Sequence, residues 1–150
     1  MKTKTPVVVA VEVRGRASGR VRLRALPDVS AASLLPFVQE TIAPGTVVCT
    51  DGWRGYARVA SRGFNHRVRA MRAGQDRSRV LPRVHRAISN LKSWLKGTHH
   101  GVSPKHLQPY LDEYAFRFNR RRAPMAAFQT ILRIGSQVPT VTYKMLCASD

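Results

Sequence analysis

Two stretches near the start of the chain constrain its fold more than any other feature. Residues 6–13 are rich in β-branched side chains, and residues 20–26 alternate charged and apolar side chains. Both patterns are typical of β-strands, the second of a strand with one face exposed to solvent. Because Gly15 and Gly19 lie between them, we predict a hairpin that turns over residues 14–19.

Turn and capping residues divide the next part of the chain. Asp28 or Ser30 can cap a helix that reaches about Ile42, and Pro44 and Gly45 end it. The segments that follow are predicted as a short buried strand, a short helix, another strand and a mobile basic loop, at residues 46–50, 53–60, 64–70 and 72–79.

The second half of the chain has a helical period. From Pro82 the apolar residues recur at spacings of four and three, and Gly97 fits a helix C-cap. Ser103 and Pro104 predict the start of a second helix, and residues 124–134 are predicted as a third. Strands followed by helices indicate an α/β or α+β domain.

The charge of the chain indicates what it binds. It carries 26 Lys and Arg against 8 Asp and Glu, a formal charge of +18 at pH 7. A domain of this size and charge repels itself unless a polyanion is bound. Nucleic acid is therefore the leading partner, while a ribosome-associated basic protein and a membrane-surface binder remain open readings.

Several other classes of protein are not supported. No apolar run approaches the roughly 20 residues that cross a bilayer, and the start lacks the apolar region of a secretory signal. The sequence therefore predicts a soluble, cytoplasmic protein. Cys49 and Cys147 lie far apart, which excludes a zinc finger within the chain and does not favour a disulfide framework.

Asp51 is the first candidate for chemistry. It follows a predicted strand and precedes Gly52. A carboxylate at the carboxyl end of a strand faces the crevice where open α/β sheets bind ligands. The alternative is that Asp51 caps the helix that begins at Trp53, a role that Asp often plays.

Asn90 is the second candidate. At helical spacing it shares one side with Arg83, Arg86 and Ser93. An amide oxygen among cations can ligate a hard metal without adding charge. The alternative is a solvated basic face.

Two further groups have simpler readings. The adjacent His99 and His100 point in different directions on most backbones, so we expect phosphate contact or solvent exposure rather than a zinc site. Glu113 lies four residues before Arg117, the favourable order for a helix ion pair, so we expect a structural role for it.

The segments together resemble the DDE-type insertion-sequence transposases, in particular the ISXO-like subgroup, whose third catalytic position is often Asn. Their order and spacing match over about residues 5–122. The matching pieces are VVVAVE at 7–12, CTDGWRGY at 49–56, HRAISNLK at 85–92, WLKGTHHGVSP at 94–104, YLDE at 110–113 and FRFNRR at 116–121.

The resemblance implies an RNase H-like α/β catalytic domain over residues 1–122, followed by a helical or irregular tail over residues 123–150. Its activity would be DNA cleavage and strand transfer in transposition, with two Mg²⁺ or Mn²⁺ ions expected only in the complete protein. Asp51 and Asn90 would ligate metal, and Lys92 is the third catalytic candidate.

The same resemblance implies DNA as the partner, is compatible with a homodimer, and involves neither a membrane nor a small-molecule substrate. Lys92 or Lys96 would hold the DNA backbone beside the metal ligands. The predicted DNA contacts are Arg54, Arg69, Arg72, Arg77, Arg79, Arg83, Arg86, Lys96, His99, Arg120 and Arg121.

One departure from the family matters more than any match. The family's first catalytic Asp lies on a strand upstream of the segment with which this chain begins, and neither Glu12 nor Asp28 takes its position. That strand is central to an RNase H-like sheet, so we expect a partial domain with an open sheet. The chain would then bind DNA without strand transfer. A non-enzymatic basic nucleic-acid-binding protein is the alternative.

Overall fold

A computed structural model describes residues 4–98 and 102–137 of the chain. It has the mixed α/β composition that the sequence predicts. The elements are β1 (Val7–Arg14), β2 (Ala17–Ala25), α1 (Ala31–Thr41), β3 (Val47–Thr50), β4 (Asn65–Val68), α2 (Arg77–Val80), α3 (Pro82–Thr98), α4 (Leu107–Asn119) and α5 (Pro124–Gln137). Across these ranges no helix combines the length and apolar character needed to span a membrane.

The predicted hairpin is confirmed. β1 and β2 pair antiparallel, and their register carries a bulge between Val11 and Val13. Gly15, in the turn, has a φ of 55°, a left-handed value that glycine adopts without a steric cost. The turn is shorter than predicted, because Ala17 already pairs with Arg14.

The hairpin is a central layer with a core on each face, because successive side chains of a strand point to opposite sides. Val8 and Leu26 pack with α1, β3 and the segment after it, whereas Val21 and Leu23 pack with α3 and α4. The α1 core contains Val8, Leu26, Leu34, Leu35, Phe37, Val38, Val48, Val59 and Phe64. The α3–α4 core contains Val21, Leu23, Ala87, Leu91, Leu111 and Tyr114.

Helix α1 begins where the sequence predicts. Ser30 is its N-cap, and the Ser30 side chain accepts a hydrogen bond from the backbone N–H of Ser33. Asp28 supports the same turn by accepting from the N–H of Ser30 at 2.8 Å. Both candidate capping residues therefore stabilise the start of the helix.

Strands β3 and β4 form a separate parallel pair. The prediction that β3 is a buried strand was wrong: Val48 and Thr50 are buried, but Val47 is 46% exposed and Cys49 is also exposed. Among the described residues β3 pairs only with β4 and β1 only with β2. Val47 and Cys49 point to the face opposite Val48 and Thr50, and neither of the two buried clusters of the described residues covers that face.

Two cavities lie beside β1, the smaller against the turn that follows β3 and the larger against β3 itself. One of about 310 Å³ is lined by Val7, Val8 and Asp51 among others. The other, of about 760 Å³, is lined by residues 10–14 of β1 and by Val47 and Cys49 of β3. The start of β1 therefore faces the end of β3, so the two strands run in opposite directions. We call the space between them the inter-sheet gap.

Three local predictions need correction. Residues 53–60 form no single helix: they contain the 3₁₀ turn Arg54–Tyr56 and the start of Ala60–Arg62, since their backbone bonds close over three residues. The loop predicted at 72–79 contains the start of α2, because Asp76 accepts from the N–H of Ser78 at 2.9 Å. Helix α3 continues through Gly97, which is therefore not its C-cap.

The two later helices are confirmed, although α4 is preceded by the 3₁₀ turn Pro104–His106, at whose N-cap Ser103 stands. Two side-chain amides of α4 bind the backbone of β2. Gln108 accepts from the N–H of Ala25 at 2.9 Å, and Asn119 accepts from the N–H of Val21 at 2.7 Å. These amides cover the edge of β2 that β1 leaves open.

Candidate functional site

Asp51 lies directly after β3, exposed, at one end of the inter-sheet gap. One of its carboxylate oxygens, Oδ1, accepts a hydrogen bond from the backbone N–H of Trp53 at 3.2 Å. Both readings of Asp51 are therefore realised in part. The residue supports the turn that follows β3, and it also lines a cavity at the carboxyl end of that strand.

The turn after Asp51 is fixed against the start of α1. The indole N–H of Trp53 donates to the carbonyl of Val29 at 2.8 Å. Gly55 is buried there, and a Cβ at this position would come within 2.6 Å of a methyl carbon of Leu34. Only glycine therefore fits without a shift of its neighbours, and the close packing holds the turn in place.

Tyr56 belongs to the same site although the sequence reading did not single it out. It lines the cavity that Asp51 borders. Burial, and secondarily the negative charge of Asp51, raises the pKa of the Tyr56 phenol. The sequence signal for Trp53 and Tyr56 is their place in the CTDGWRGY segment, directly after the candidate Asp51.

Beneath Asp51 a polar pair joins the two parallel strands. The hydroxyl of Thr50, which is buried, lies 2.8 Å from Nε2 of His66 on β4. The N–H of Arg69 donates to the carbonyl of Thr50 at 2.8 Å. These contacts position Arg69 next to the strand end from which Asp51 projects.

Asn90 and Lys92 are exposed on α3, whose buried side contains Ala87 and Leu91. The helix begins near the hairpin turn, where the Arg83 guanidinium donates to the carbonyl of Gly15 at 3.0 Å. Ala87 and Leu91 of this helix pack in one cluster with Val21 and Leu23 of β2, and the partly buried Val7 and Val9 of β1 pack against that cluster. Convergence of Asn90 with Asp51 stays a prediction.

The donors at Asp51 do not fit a two-ion site by themselves. Across residues 4–98 and 102–137 no group of three or more His, Cys, Asp and Glu side chains could hold a metal. Asp51 supplies one carboxylate and Asn90 a neutral amide, which is too little negative charge for two dications.

Glu12, another candidate carboxylate, lies on β1 and is bound within the hairpin. It lies four residues beyond Val8, about 13 Å along the strand, whereas Val8 and Asp51 line the same cavity. Its carboxylate accepts from the N–H of Arg20 and from the Arg14 side chain, both at 2.9 Å. These two bonds, that to Arg20 first, lower the pKa of Glu12.

Asp28 also has structural partners, at the start of α1. It accepts from the N–H of Ser30 and from the Ser33 hydroxyl, the latter at 2.7 Å. The hydrogen bonds from Ser30 are the main reason why the pKa of Asp28 is lowered. These contacts are consistent with the expectation that neither Glu12 nor Asp28 takes the position of the family's first catalytic Asp.

Most of the predicted DNA contacts lie on exposed parts of the chain. Six of the residues predicted to contact DNA are exposed: Arg54, Arg69, Arg72, Arg79, Arg86 and Lys96. Arg54 lies three residues after Asp51, and Arg77 begins α2. Arg83 is half-buried against Gly15, and His99 lies outside the described residues. All of these stay predictions as DNA contacts.

Arg120 and Arg121 have structural partners. The Arg120 guanidinium lies 4.0 Å from the ring centroid of Phe116. The Arg121 guanidinium lies 4.0 Å from that of Phe118, and it donates to the carbonyl of Ser18 at 2.7 Å. Arg121 therefore ties the end of α4 to the hairpin, and its guanidinium is less available for phosphate.

Comparison with known proteins connects this geometry to a family. A Haemophilus influenzae protein described as an uncharacterised transposase-like protein is 29% identical over 101 residues, which cover 63% of this chain and 76% of that protein. No solved structure matches the chain. The ISXO2-like transposase domain family matches residues 1–119, which include the hairpin, Asp51, Asn90 and α4. The chain therefore belongs to the ISXO2-like transposase domain family.

Proposed function

We propose that the chain is the DNA-binding part of an RNase H-like transposase catalytic domain, and that it binds DNA without cleaving it unaided. In the complete domain the reaction is metal-dependent cleavage and strand transfer during transposition, in the cytoplasm. The family match over residues 1–119 is the observation that carries this proposal. A homodimer is part of the same proposal.

The inter-sheet gap supports the RNase H-like reading. The sequence expectation is an open sheet that lacks its central strand. The four strands form two separate pairs in the described part of the chain, with cavities between β1 and β3. Asp51 lies at one end of this gap, beside the place where a carboxylate from an added strand would complete a pair of acids.

The distribution of charge supports DNA as the ligand. Arg69 follows β4 and lines the inter-sheet gap, and Arg72 and Arg79 are exposed in the segment that leads to α3. Each neutralised phosphate releases condensed counterions, so an affinity that rests on such contacts falls steeply with salt. Binding of this kind carries no sequence information.

Fluorescence anisotropy with a labelled DNA duplex of arbitrary sequence tests the proposal. Affinity should fall linearly with salt on a log–log plot, by several orders of magnitude toward physiological salt. Replacing Arg69, Arg72 and Arg79 together with Gln should lower the slope by roughly 3 units, since each phosphate contact contributes about one.

The control variant removes the same charge elsewhere. Gln at Arg58, Arg62 and Arg133, which are exposed outside that segment, should change the slope by less than about one unit. A salt-insensitive affinity would contradict phosphate binding. Preference for an RNA duplex over the DNA duplex would instead favour a ribosome-associated protein.

A further inference from the structure

Helix α5 leaves its apolar side chains exposed. Met125, Phe128, Ile131, Leu132 and Ile134 are each between 54% and 69% exposed. Neither core of the described residues contains a side chain of this helix. An isolated helix of this length is only marginally stable in water, because most helices in proteins depend on the packing of an apolar face. Helix α5 therefore presents a surface that a partner would stabilise.

The exposed apolar side chains form one continuous face. At 3.6 residues per turn they occupy about half of the helix circumference, with Phe128 and Ile131 at the centre. The other half carries polar side chains, those of Gln129, Thr130, Arg133, Ser136 and Gln137. Among the described side chains of α5 only Ala127 and Thr130 are half-buried, and both lie near one margin of the apolar half. The centre of the apolar face is therefore open.

We propose that the apolar face of α5, formed by Met125, Phe128, Ile131, Leu132 and Ile134, is the surface through which two copies of this chain form a homodimer. This inference rests on the proposed function, which includes a homodimer, and assigns the contact to one helix.

The distribution of charge favours a contact at this helix. Each copy carries a formal charge of +18, so two copies repel each other wherever their cations meet. The three residues before Ala123 are all Arg, whereas α5 has Arg133 as its only charged side chain. In a two-fold interface a patch meets its own copy, so a cation within it would face a like charge. The apolar face of α5 carries no charge and avoids this repulsion.

The area of the face is sufficient for a weak dimer. A fully buried aromatic side chain removes roughly 150–250 Å² from water, so Phe128, which is 56% exposed, would remove on the order of 100 Å². Five side chains of similar size on each of two copies bring the interface to about 1,000 Å², the lower bound for a specific contact. The dimer should therefore form reversibly and depend on protein concentration.

The polar side of α5 argues against a membrane as the occupant. Helices that lie in a membrane surface are rich in Lys and Arg on their polar side, which attract anionic lipids. Helix α5 carries Arg133 alone on that side. DNA is disfavoured for the same reason, since its phosphates require cations.

Cross-linking of single cysteines tests the contact directly. Ile131 lies near the middle of α5 and of its apolar face, so it should meet its own copy whether the two helices run parallel or antiparallel. In the full chain with Cys49→Ser and Cys147→Ser, a short-arm bismaleimide should join two Ile131→Cys copies, as seen on a denaturing gel. Arg133→Cys is the matched control on the opposite side of the same helix, and it should remain monomeric.

Sedimentation velocity measures the same contact without a cross-link. The wild-type chain should show a monomer–dimer equilibrium that shifts toward the dimer as salt rises to about 1 M, where the Debye length is about 3 Å and repulsion between the copies is screened. Phe128→Gln together with Ile131→Gln should lower the association constant roughly tenfold or more. Val13→Gln together with Met71→Gln, at exposed apolar positions elsewhere, should leave it unchanged.

Four results would overturn the proposal. Equal linking by Ile131→Cys and Arg133→Cys would mean random collision, and a dimer that survives the changes at Phe128 and Ile131 would use another surface. A monomer at both low and high salt would remove the homodimer from the proposed function. Flotation with anionic lipid vesicles that is lost on changing Phe128 and Ile131 would assign the face to a membrane. Since none of these measurements contains DNA, their failure leaves the proposed DNA binding to its own test.

Discussion

The Asn119 side chain forms two hydrogen bonds with the backbone of one residue of β2, Val21. The backbone N–H of Val21 donates to Oδ1 of Asn119 at 2.7 Å, and Nδ2 of Asn119 donates to the carbonyl of Val21 at 3.1 Å. The amide thus takes the place of a neighbouring strand. Gln108, eleven residues or about three helical turns earlier, does the same for Ala25 and Leu23.

Replacing Asn119 by Leu should destabilise the fold. The N–H and carbonyl of Val21, a residue that is 0% exposed, would lose their partners, and an unsatisfied buried polar group costs about 1–3 kcal/mol. Urea unfolding measures the change in free energy. The matched change Asn90→Leu on an exposed helix position should stay within about 0.5 kcal/mol, and equal effects would contradict the role of Asn119.

Asp51→Asn should lower the pKa of Tyr56 while leaving it above 10.0, because the charge contribution disappears and the larger contribution of burial remains. Tyrosinate absorbance against pH measures this. Asp112→Asn, on α4, serves as the control and should leave the Tyr56 titration unchanged. An unchanged pKa in Asp51→Asn would mean that the two side chains are not neighbours.

The raised pKa of Tyr56 also predicts loss of stability in alkali. The neutral phenol is favoured in the folded state, so its contribution is fully present below pH 10.0, the ordinary pKa. It is lost as the pH rises through the higher pKa of the folded chain. Unfolding free energies measured between pH 9 and 11 should show this loss in the wild type and less of it in Tyr56→Phe.

The lowered pKa of Glu12 predicts that stability is lost in acid, the opposite of the dependence expected from Tyr56. Its pKa lies below the ordinary 4.5 in the folded chain, so its contribution to stability is present above 4.5 and is lost as the pH falls through the lowered value. The difference in unfolding free energy between wild type and Glu12→Gln should therefore shrink on acidification. A difference that is constant from neutral to acidic pH would contradict this account.

How far the sequence predicts the fold depends on whether an element is defined locally. The hairpin follows from glycines and alternation, and α3 follows from the spacing of Val84, Ile88, Leu91 and Leu95. The exposure of Val47 and Cys49 on β3 does not, because it depends on which face of the strand is covered by elements distant in the sequence. The cap that Asp76 gives α2 is local and could have been predicted.

The candidate site, too, could be predicted from the sequence only where its features are local. Asp51 was predictable, since a carboxylate after a strand lies at the end of a sheet. Tyr56 belongs to the same CTDGWRGY segment, but its burial could not be predicted, because it rests on packing against residues far away in the sequence. Glu12 lies in the predicted hairpin, but its bond from the backbone N–H of Arg20 could not be predicted, because the register irregularity between Val11 and Val13 is not evident in the sequence.

The convergence of Asp51 and Asn90 is a separate prediction. In a chain with Cys49 and Cys147 replaced by Ser, new cysteines at positions 51 and 90 should be linked by a short-arm bismaleimide, because both would border one metal site. A control pair of cysteines at positions 51 and 117 should not be linked. Absence of a link between positions 51 and 90 would exclude Asn90 as a ligand of the same metal site as Asp51.

The central claim is the proposal that this chain binds DNA and does not cleave it unaided. A single gel of the purified chain incubated with supercoiled plasmid and Mg²⁺ tests both DNA binding and the absence of cleavage. The account predicts a retarded plasmid that remains supercoiled, with the same retardation when EDTA replaces Mg²⁺. Nicking that requires Mg²⁺ and disappears in both Asp51→Ala and Glu12→Ala would contradict it, and would identify Glu12 as the second ligand.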